Sequence, residues 1–166
     1  MKVAQFIYLL LNNKEIRDVI DTISKKVVFI LGRFTAERKA ILDALRDELR
    51  KRNYSPVVFD FEKPASRDIT ETVSTLAHMA RFVIADITEP RSIPQELQSI
   101  VPHLPSVPIQ PLMQSLDREY GMFEHFPRYP WVLPIYRYRD IDELLISIQE
   151  HVILPAEQRA NELDKR

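Results

Sequence analysis

The sequence predicts a three-layer α/β fold, in which a five-stranded, mostly parallel sheet carries helices on both faces. Two observations lead to this prediction. Short, unbroken apolar runs, which are typical of strands buried on both faces, alternate with segments whose apolar residues recur at helical spacing. The alternation is tight enough for one domain of 166 residues, and it predicts parallel strands joined by helices. We expect the strand order 2-1-3-4-5.

Five runs are predicted as strands. The first is the apolar run that ends at Gly32, and the third stays apolar until its last residue, Asp86. The fourth contains Pro108 and Pro111, which predict an irregular or partly paired strand. The predicted strands cover residues 27–31, 56–61, 81–86, 107–112 and 131–136.

Capping residues mark the helices between these strands. Thr35, Asp68 and Asp140 each precede a stretch with apolar residues at helical spacing, and each is a good N-cap. Ser92 and Gln95 have the spacing of a capping box, which starts a short helix that prolines end near residue 102. A helix is also predicted over residues 117–126, and another over residues 5–24, either continuous or broken at residues 12–13.

The chain is divided by composition into three parts. Residues 1–25 form an N-terminal helical segment, residues 26–154 form the α/β domain, and residues 155–166 form a polar tail that either extends the last helix or frays. The apolar run over residues 6–11 is too short to span a bilayer and lacks a small-residue cleavage site. We therefore expect a cytoplasmic protein.

The composition excludes several classes of site. With only two glycines the chain has neither a GxGxxG loop nor a P-loop, and with no cysteine it has no disulfide, thiol catalysis or cysteine-bound metal. The net charge of −1 gives no general bias toward nucleic acid or membrane surfaces. The four histidines show no metal-ligand spacing. We expect no metal, no nucleic acid and no membrane partner.

The predicted strand order places a ligand site at the carboxyl ends of strands one and three, where the order reverses. Asp86 ends the third strand, and Glu96 falls in the first turn of the helix that follows. A helix N-terminus stabilises a carboxylate, which can bind ribose hydroxyls and stabilise the oxocarbenium-like sugar formed when an N-glycosidic bond breaks. Two alternatives remain open, since Glu is common in any first helical turn and Asp86 can simply bind loop amides.

A nucleotide at this site has to be held by side chains, because no glycine-rich loop is present. Arg33 and Arg67 can bind a pyrophosphate with their guanidinium groups, although both can equally be solvated surface residues. Trp131, Tyr136 and Tyr138 either stack on a base or pack in the protein. The residues expected to bind nucleotide are Gly32, Arg33, Phe34, Ser66, Arg67, Thr88 and Ser92, and the expected catalytic residues are Glu96 and Asp86.

Two short motifs carry a resemblance to known families. The sequence Ala-Asp-Ile-Thr over residues 85–88, followed by Pro-Gln-Glu-Leu over residues 94–97, resembles nucleoside 2-deoxyribosyltransferase-like proteins. Together with the order of strands, it also resembles bacterial TIR-like domains of flavodoxin-like architecture. The whole sequence is similar to the C-terminal domain of bacterial pentapeptide-repeat proteins.

The resemblance implies an activity and an assembly mode. Glu96 falls where NAD-cleaving TIR enzymes carry their catalytic Glu, and Arg33 and Phe34 fall where the nucleotide is contacted. Residues 62–68 fall on the loop that mediates assembly, which implies a homo-oligomer. The spacing from Ser92 to Glu96 is shorter than in TIR enzymes and is closer to the deoxyribosyltransferase-like pattern.

Three functions therefore remain. The first is an NAD-nucleosidase type of hydrolase in signalling or defence, with NAD or a related nucleotide as substrate and no further cofactor. The second is a non-catalytic TIR-like module that senses a nucleotide or self-associates. The third is a nucleoside deoxyribosyltransferase-like enzyme. We expect an enzyme, with Glu96 as its central residue.

Overall fold

A computed structural model describes residues 3–5, 13–60, 67–88, 100–114 and 128–165 of the chain. Its strands form one sheet in the order β2-β1-β3-β4-β5, and every neighbouring pair is parallel. The predicted fold class and strand order are therefore confirmed. The strands are β1 (Val27–Gly32), β2 (Ser55–Asp60), β3 (Phe82–Asp86), β4 (Ile109–Gln114) and β5 (Tyr136–Tyr138).

Side-chain caps start three of the helices, as expected for the positions before a helical stretch. Asn13 accepts from the Ile16 amide, Thr35 from the Arg38 amide and Asp140 from the Glu143 amide. The helices are α1 (Lys14–Ser24), α2 (Ala36–Lys51), α3 (Arg67–Met79), α4 (Ile141–Ile148) and α5 (Leu154–Asp164), with a 3₁₀ turn at Val101–His103. The helices predicted at 92–101 and 117–126 lie almost wholly outside the described residues. Among the described helices, none has the length and apolarity to cross a membrane.

The core has two layers because the strands are apolar on both faces. Alternate residues of β1 and β3 point to opposite sides of the sheet, as the two-residue repeat of a strand requires. One layer lies under α2, α4 and α5 and includes Val28, Ile30, Leu42, Leu45, Ile84, Leu144 and Ile148. The other lies under α3 and includes Phe29, Leu31, Val73, Ala77, Val83, Ala85 and Ile100.

The fifth strand lies later in the chain than predicted. The backbone N–H of Ile109 donates to the Trp131 carbonyl, and its carbonyl accepts from the Leu133 amide. The backbone polar groups of Ile109 therefore face the segment that leads into β5. Pro111, two positions on, faces the same side but has no N–H with which to continue the ladder. Regular pairing with β4 resumes only at Tyr136. The strand predicted over residues 131–136 is therefore wrong in position, and residues 131–135 contribute a single bridge at residue 132.

A buried amide side chain supplies hydrogen-bond donors beside Pro111, which has no backbone N–H. The Nε2 atom of Gln110 donates to the carbonyls of Pro111 at 3.0 Å and Pro134 at 2.9 Å. Gln110 is one of three buried polar side chains in the described core. The Gln110 side chain therefore donates to two carbonyls in the part of the sheet where Pro111 offers no backbone donor, and this accommodates Pro111 inside the strand β4.

The polar tail continues the last helix, which is one of the two outcomes expected from the sequence. A π-helical turn over Gln149–Ile153 joins α4 to α5. Pro155 lacks an N–H for the carbonyl one turn before it, and a widened turn accommodates that loss. Ala156, Ala160 and Leu163 of α5 are buried.

Candidate functional site

Polar residues end four of the five strands at the same edge of the sheet. Asp60, Asp86, Gln114 and Tyr138 are the last residues of β2, β3, β4 and β5. Because parallel strands bring their carboxyl ends together, these side chains gather at the edge where α/β sheets bind ligands. β1 ends there on Gly32, without a side chain.

Arg38, in the first turn of α2, joins three of these strand ends. Its Nε and Nη2 atoms donate to Asp86 Oδ2 at 2.9 and 2.8 Å, and Nη2 also donates to the Tyr138 hydroxyl at 2.7 Å. Its Nη1 atom donates to Gln114 Oε1. Arg38 is only 3% exposed and Asp86 only 7%. The guanidinium and carboxylate therefore form a buried, fully hydrogen-bonded pair, which is the form in which burial of charge is tolerated.

Thr88 completes a closed ring with these residues. Its amide and hydroxyl donate to Asp86 Oδ1 at 3.1 and 2.7 Å, and its hydroxyl oxygen accepts from the Gln114 amide at 3.0 Å. The ring thus runs from Arg38 through Asp86, Thr88 and Gln114 back to Arg38. Both carboxylate oxygens of Asp86 are engaged by protein donors.

Burial and charge act together on the ionisation of this cluster. Burial alone would lower the pKa of Arg38, but the neighbouring Asp86 and Tyr138 outweigh it and raise that pKa above its ordinary value. Burial, reinforced by Asp86, raises the pKa of Tyr138 to about 12. The cluster therefore holds one cation and a neutral phenol at neutral pH.

The loop after β1 is packed tightly against this cluster. A Cβ atom on Gly32 would lie 3.1 Å from both methyl carbons of Leu42 and 3.4 Å from the Asp86 Cβ. The Phe34 amide donates to Asp60 Oδ1 at 3.0 Å. Glycine thus permits α2 and β3 to approach closely here.

The structure brings together part of the predicted site. Gly32, Phe34, Asp86 and Thr88 lie in the contacts just described, and Arg33 is half-buried in the same loop. Ser66, Ser92 and Glu96, and most of the 62–68 loop, lie outside the described residues. Arg67 is the first residue of α3, a residue for which the structure describes the backbone alone.

Of the two possibilities left open for the aromatic residues, the structure favours packing. The Trp131 indole donates to the Val101 carbonyl at 2.7 Å and stacks on Tyr129. Tyr136 bonds Ser147 and stacks on His151. Tyr138 is 2% exposed, so its ring is not available to a base.

Sequence reasoning missed Arg38 and Gln114. Arg38 falls in phase with Ile41, Leu42 and Leu45 on the buried stripe of α2, and a cation in a first helical turn opposes the helix dipole. A cation that lies both on an apolar stripe and at a helix N-terminus needs a buried partner to compensate it. The position of Arg38 could therefore have been recognised from the sequence. The role of Gln114 could not be recognised, because it depends on where β4 ends.

A concave region lies at the opposite, amino edge of the sheet. It is a cavity of about 500 Å³ between α1, the end of α3 and α5. Arg81 lies in its wall and is neutralised by Glu157 and Asp164. Within the described ranges, no group of three His, Asp or Glu side chains could hold a metal ion.

Comparison with known proteins identifies the fold. No family model matches the chain, and no curated protein matches it. Among solved structures, the CMP N-glycosidase BcmB of Clostridium botulinum superposes with a TM-score of 0.54 at 16% sequence identity, covering 75% of this chain and 99% of that one. A likeness at this identity concerns the fold, and it agrees with the sheet described above.

Proposed function

We propose that the chain binds a nucleotide at the carboxyl edge of its sheet and hydrolyses the N-glycosidic bond, with Glu96 as the catalytic carboxylate. The observation that carries this proposal is the ordered turn after β3. Asp86 and Thr88 are held by Arg38 and Gln114 at the point where strand order reverses, and Glu96 follows ten residues after Asp86 in the sequence. A fold shared with a CMP N-glycosidase supports the same chemistry.

The reaction needs a carboxylate beside the sugar. The bond between C1′ and the base nitrogen breaks, its electron pair leaves with the base, and water oxygen bonds to C1′ and gives up a proton. A pyrimidine or purine base takes up that proton, whereas nicotinamide leaves NAD as a neutral base and the proton goes to solvent. Positive charge develops on the sugar in between, and Glu96 stabilises it. Arg33 and Arg67 bind the phosphate side of the nucleotide, since guanidinium groups match phosphate oxygens.

For Asp86 we propose a positioning role in place of the catalytic role expected from the sequence. A carboxylate whose two oxygens already accept from Arg38 and Thr88 would have to give up those bonds to reach a sugar. Its burial makes that exchange costly. Asp86 therefore orders the turn that leads toward Glu96.

The substrate class is a nucleotide, and its members can be separated by experiment. The TIR-like resemblance favours NAD, whereas the fold shared with a CMP N-glycosidase favours a nucleoside monophosphate. Purified protein incubated with NAD, CMP, the other nucleoside monophosphates and 2′-deoxynucleosides is assayed by chromatography for released base. Added free base distinguishes hydrolysis from deoxyribosyl transfer, because transfer yields a new nucleoside.

A matched pair of variants tests the catalytic residue. We expect Glu96→Gln to reduce base release by at least about 100-fold, and Glu15→Gln, the same change on the exposed face of α1, to leave it unchanged. Equal activity of Glu96→Gln and wild type would overturn the role of Glu96. Calorimetric binding of a nucleotide without turnover would overturn hydrolysis and support the non-catalytic sensing module. Self-association through residues 62–68 is a further proposal, which light scattering over a concentration series tests.

A further inference from the structure

We propose that Arg38 is a positioning residue, which clamps the ends of β3, β4 and β5 and so sets the path by which the chain leaves β3 toward Glu96. The clamp itself follows from contacts among described residues. Its effect on turnover rests on the proposed function, and the two parts are tested separately below.

The guanidinium is suited to this role by its planar fork of donors. It reaches from the first turn of α2 to one side chain on each of three strands, Asp86, Gln114 and Tyr138. A lysine ammonium at this place is a compact point charge, and it cannot direct two donors at Asp86 Oδ2 and at the same time reach Gln114 and Tyr138. The geometry of the fork, and not charge alone, therefore holds the three strand ends in register.

The chain leaves the sheet at the place that the clamp holds. The Ile87 amide donates to the Leu112 carbonyl at 2.9 Å, which continues the parallel ladder between β3 and β4. The next donor of β4, the Gln114 amide, bonds instead to the hydroxyl of Thr88. A side chain thus replaces the backbone acceptor where β3 turns away. Because Thr88 is held by Asp86, and Asp86 by Arg38, loss of the guanidinium releases this turn.

The opposite edge of the sheet provides a matched control. Arg81 is also a hub with three partners, and it donates to Glu157 at 2.8 Å, to Asp164 at 2.9 Å and to Asn161 at 2.7 Å. These contacts fasten α5 to the amino end of β3. Removing either arginine breaks a salt bridge and the neighbouring hydrogen bonds, but of the two only Arg38 contacts side chains at the carboxyl ends of the strands.

The experiment compares full-length wild type with Arg38→Lys, Arg38→Met, Tyr138→Phe and Arg81→Met. Amide hydrogen exchange is followed by mass spectrometry on peptides that cover residues 85–91 and 111–116. We expect Arg38→Met to accelerate exchange of Thr88 and Gln114 by at least about 10-fold, because their amides lose fixed acceptors. Exchange of β1, a core strand, reports the accompanying loss of global stability. Arg38→Lys should fall between Arg38→Met and wild type. Arg81→Met should accelerate exchange in α5 and leave residues 85–91 as in wild type.

Turnover of the nucleotide found active for wild type gives the second readout. We expect Arg38→Met to lower kcat by about 100-fold with KM changed by less than about 3-fold, since a small misplacement of a reacting group costs rate more than affinity. Partial recovery of kcat in Arg38→Lys, and unchanged kcat in Arg81→Met, would support a positioning role.

Each outcome decides one part of the proposal. Wild-type exchange at Thr88 and Gln114 in Arg38→Met overturns the clamp, whatever the activity. Faster exchange with unchanged kcat overturns the effect on turnover. If wild type turns over no nucleotide, the proposed function fails, and the exchange data still decide the clamp. If Arg38→Met does not fold, Tyr138→Phe, which removes one hydroxyl, should accelerate exchange at the same two amides by a smaller factor, and wild-type exchange there overturns the clamp.

Discussion

Replacement of Arg38 by methionine should strongly destabilise the fold because it leaves a buried charge without its partner. The Arg38 and Asp86 side chains are each only 4% exposed. Removing one member of such a pair costs about 3–5 kcal/mol of unfolding free energy. Methionine keeps most of the aliphatic volume, so little of this cost is a cavity. For a chain of this size the melting temperature should fall by roughly 6–20 °C.

A double-mutant cycle with Asp86→Asn separates the buried charge from lost packing. Asparagine keeps an oxygen for the amide and hydroxyl of Thr88 but carries no charge that needs Arg38. The double variant should therefore be more stable than Arg38→Met alone, by about 2 kcal/mol. Urea unfolding at 25 °C, followed by circular dichroism and fluorescence, measures all four proteins. A cost below about 1 kcal/mol for Arg38→Met, or additive single effects, would refute the ion pair as the source of stability.

Three further predictions concern other parts of the fold. Gln110→Leu should cost about 1–3 kcal/mol in urea unfolding, because two proline carbonyls lose their donor; a neutral effect would contradict its bridging role. Gly32→Ala should cost about 1–3 kcal/mol of unfolding free energy, because the added methyl group would crowd Leu42. In a Leu42→Ala background the same Gly32→Ala change should cost less; an equal cost in both backgrounds would contradict that contact. Because the pKa of Tyr138 is raised to about 12, the folded state keeps a proton that the unfolded state loses from about pH 10. Unfolding free energy should thus fall as pH rises from 10 to 12, and less steeply in Tyr138→Phe. Tyr54, whose pKa is also raised, contributes equally to both proteins, so identical slopes would contradict the assignment.

The sequence predicted the architecture because buried parallel strands leave an unmistakable pattern. The apolar runs that become β1 and β3, each flanked by a helical repeat, determine the order of layers, and the strand order follows from common topology. Thr35 and Asp140 cap helices as predicted. The position of β5 could not be predicted, because it depends on Pro111 facing β5 and not β3. That orientation exists only once β4 is placed in the sheet.

The polar cluster around Asp86 lies at the edge of the sheet where the sequence predicted a ligand site, but the contacts within the cluster were not predicted. Asp86 and Thr88 were identified from their place after a buried strand, and Gly32 from its place at the end of β1. The partner of Asp86 is Arg38, which lies 48 positions away in the sequence. Local patterns cannot assign such a partner, although a charged residue on an apolar stripe does indicate that one exists.

The most direct test of the proposed site is a crystal structure of Glu96→Gln soaked with the nucleotide that wild type turns over. This variant should bind substrate without consuming it. We predict electron density for the nucleotide at the carboxyl ends of β1 and β3, with C1′ beside residue 96 and the phosphate near Arg33. Nucleotide density confined to the amino-edge cavity near Arg81, or none at the carboxyl edge under saturating conditions, would contradict the proposed function.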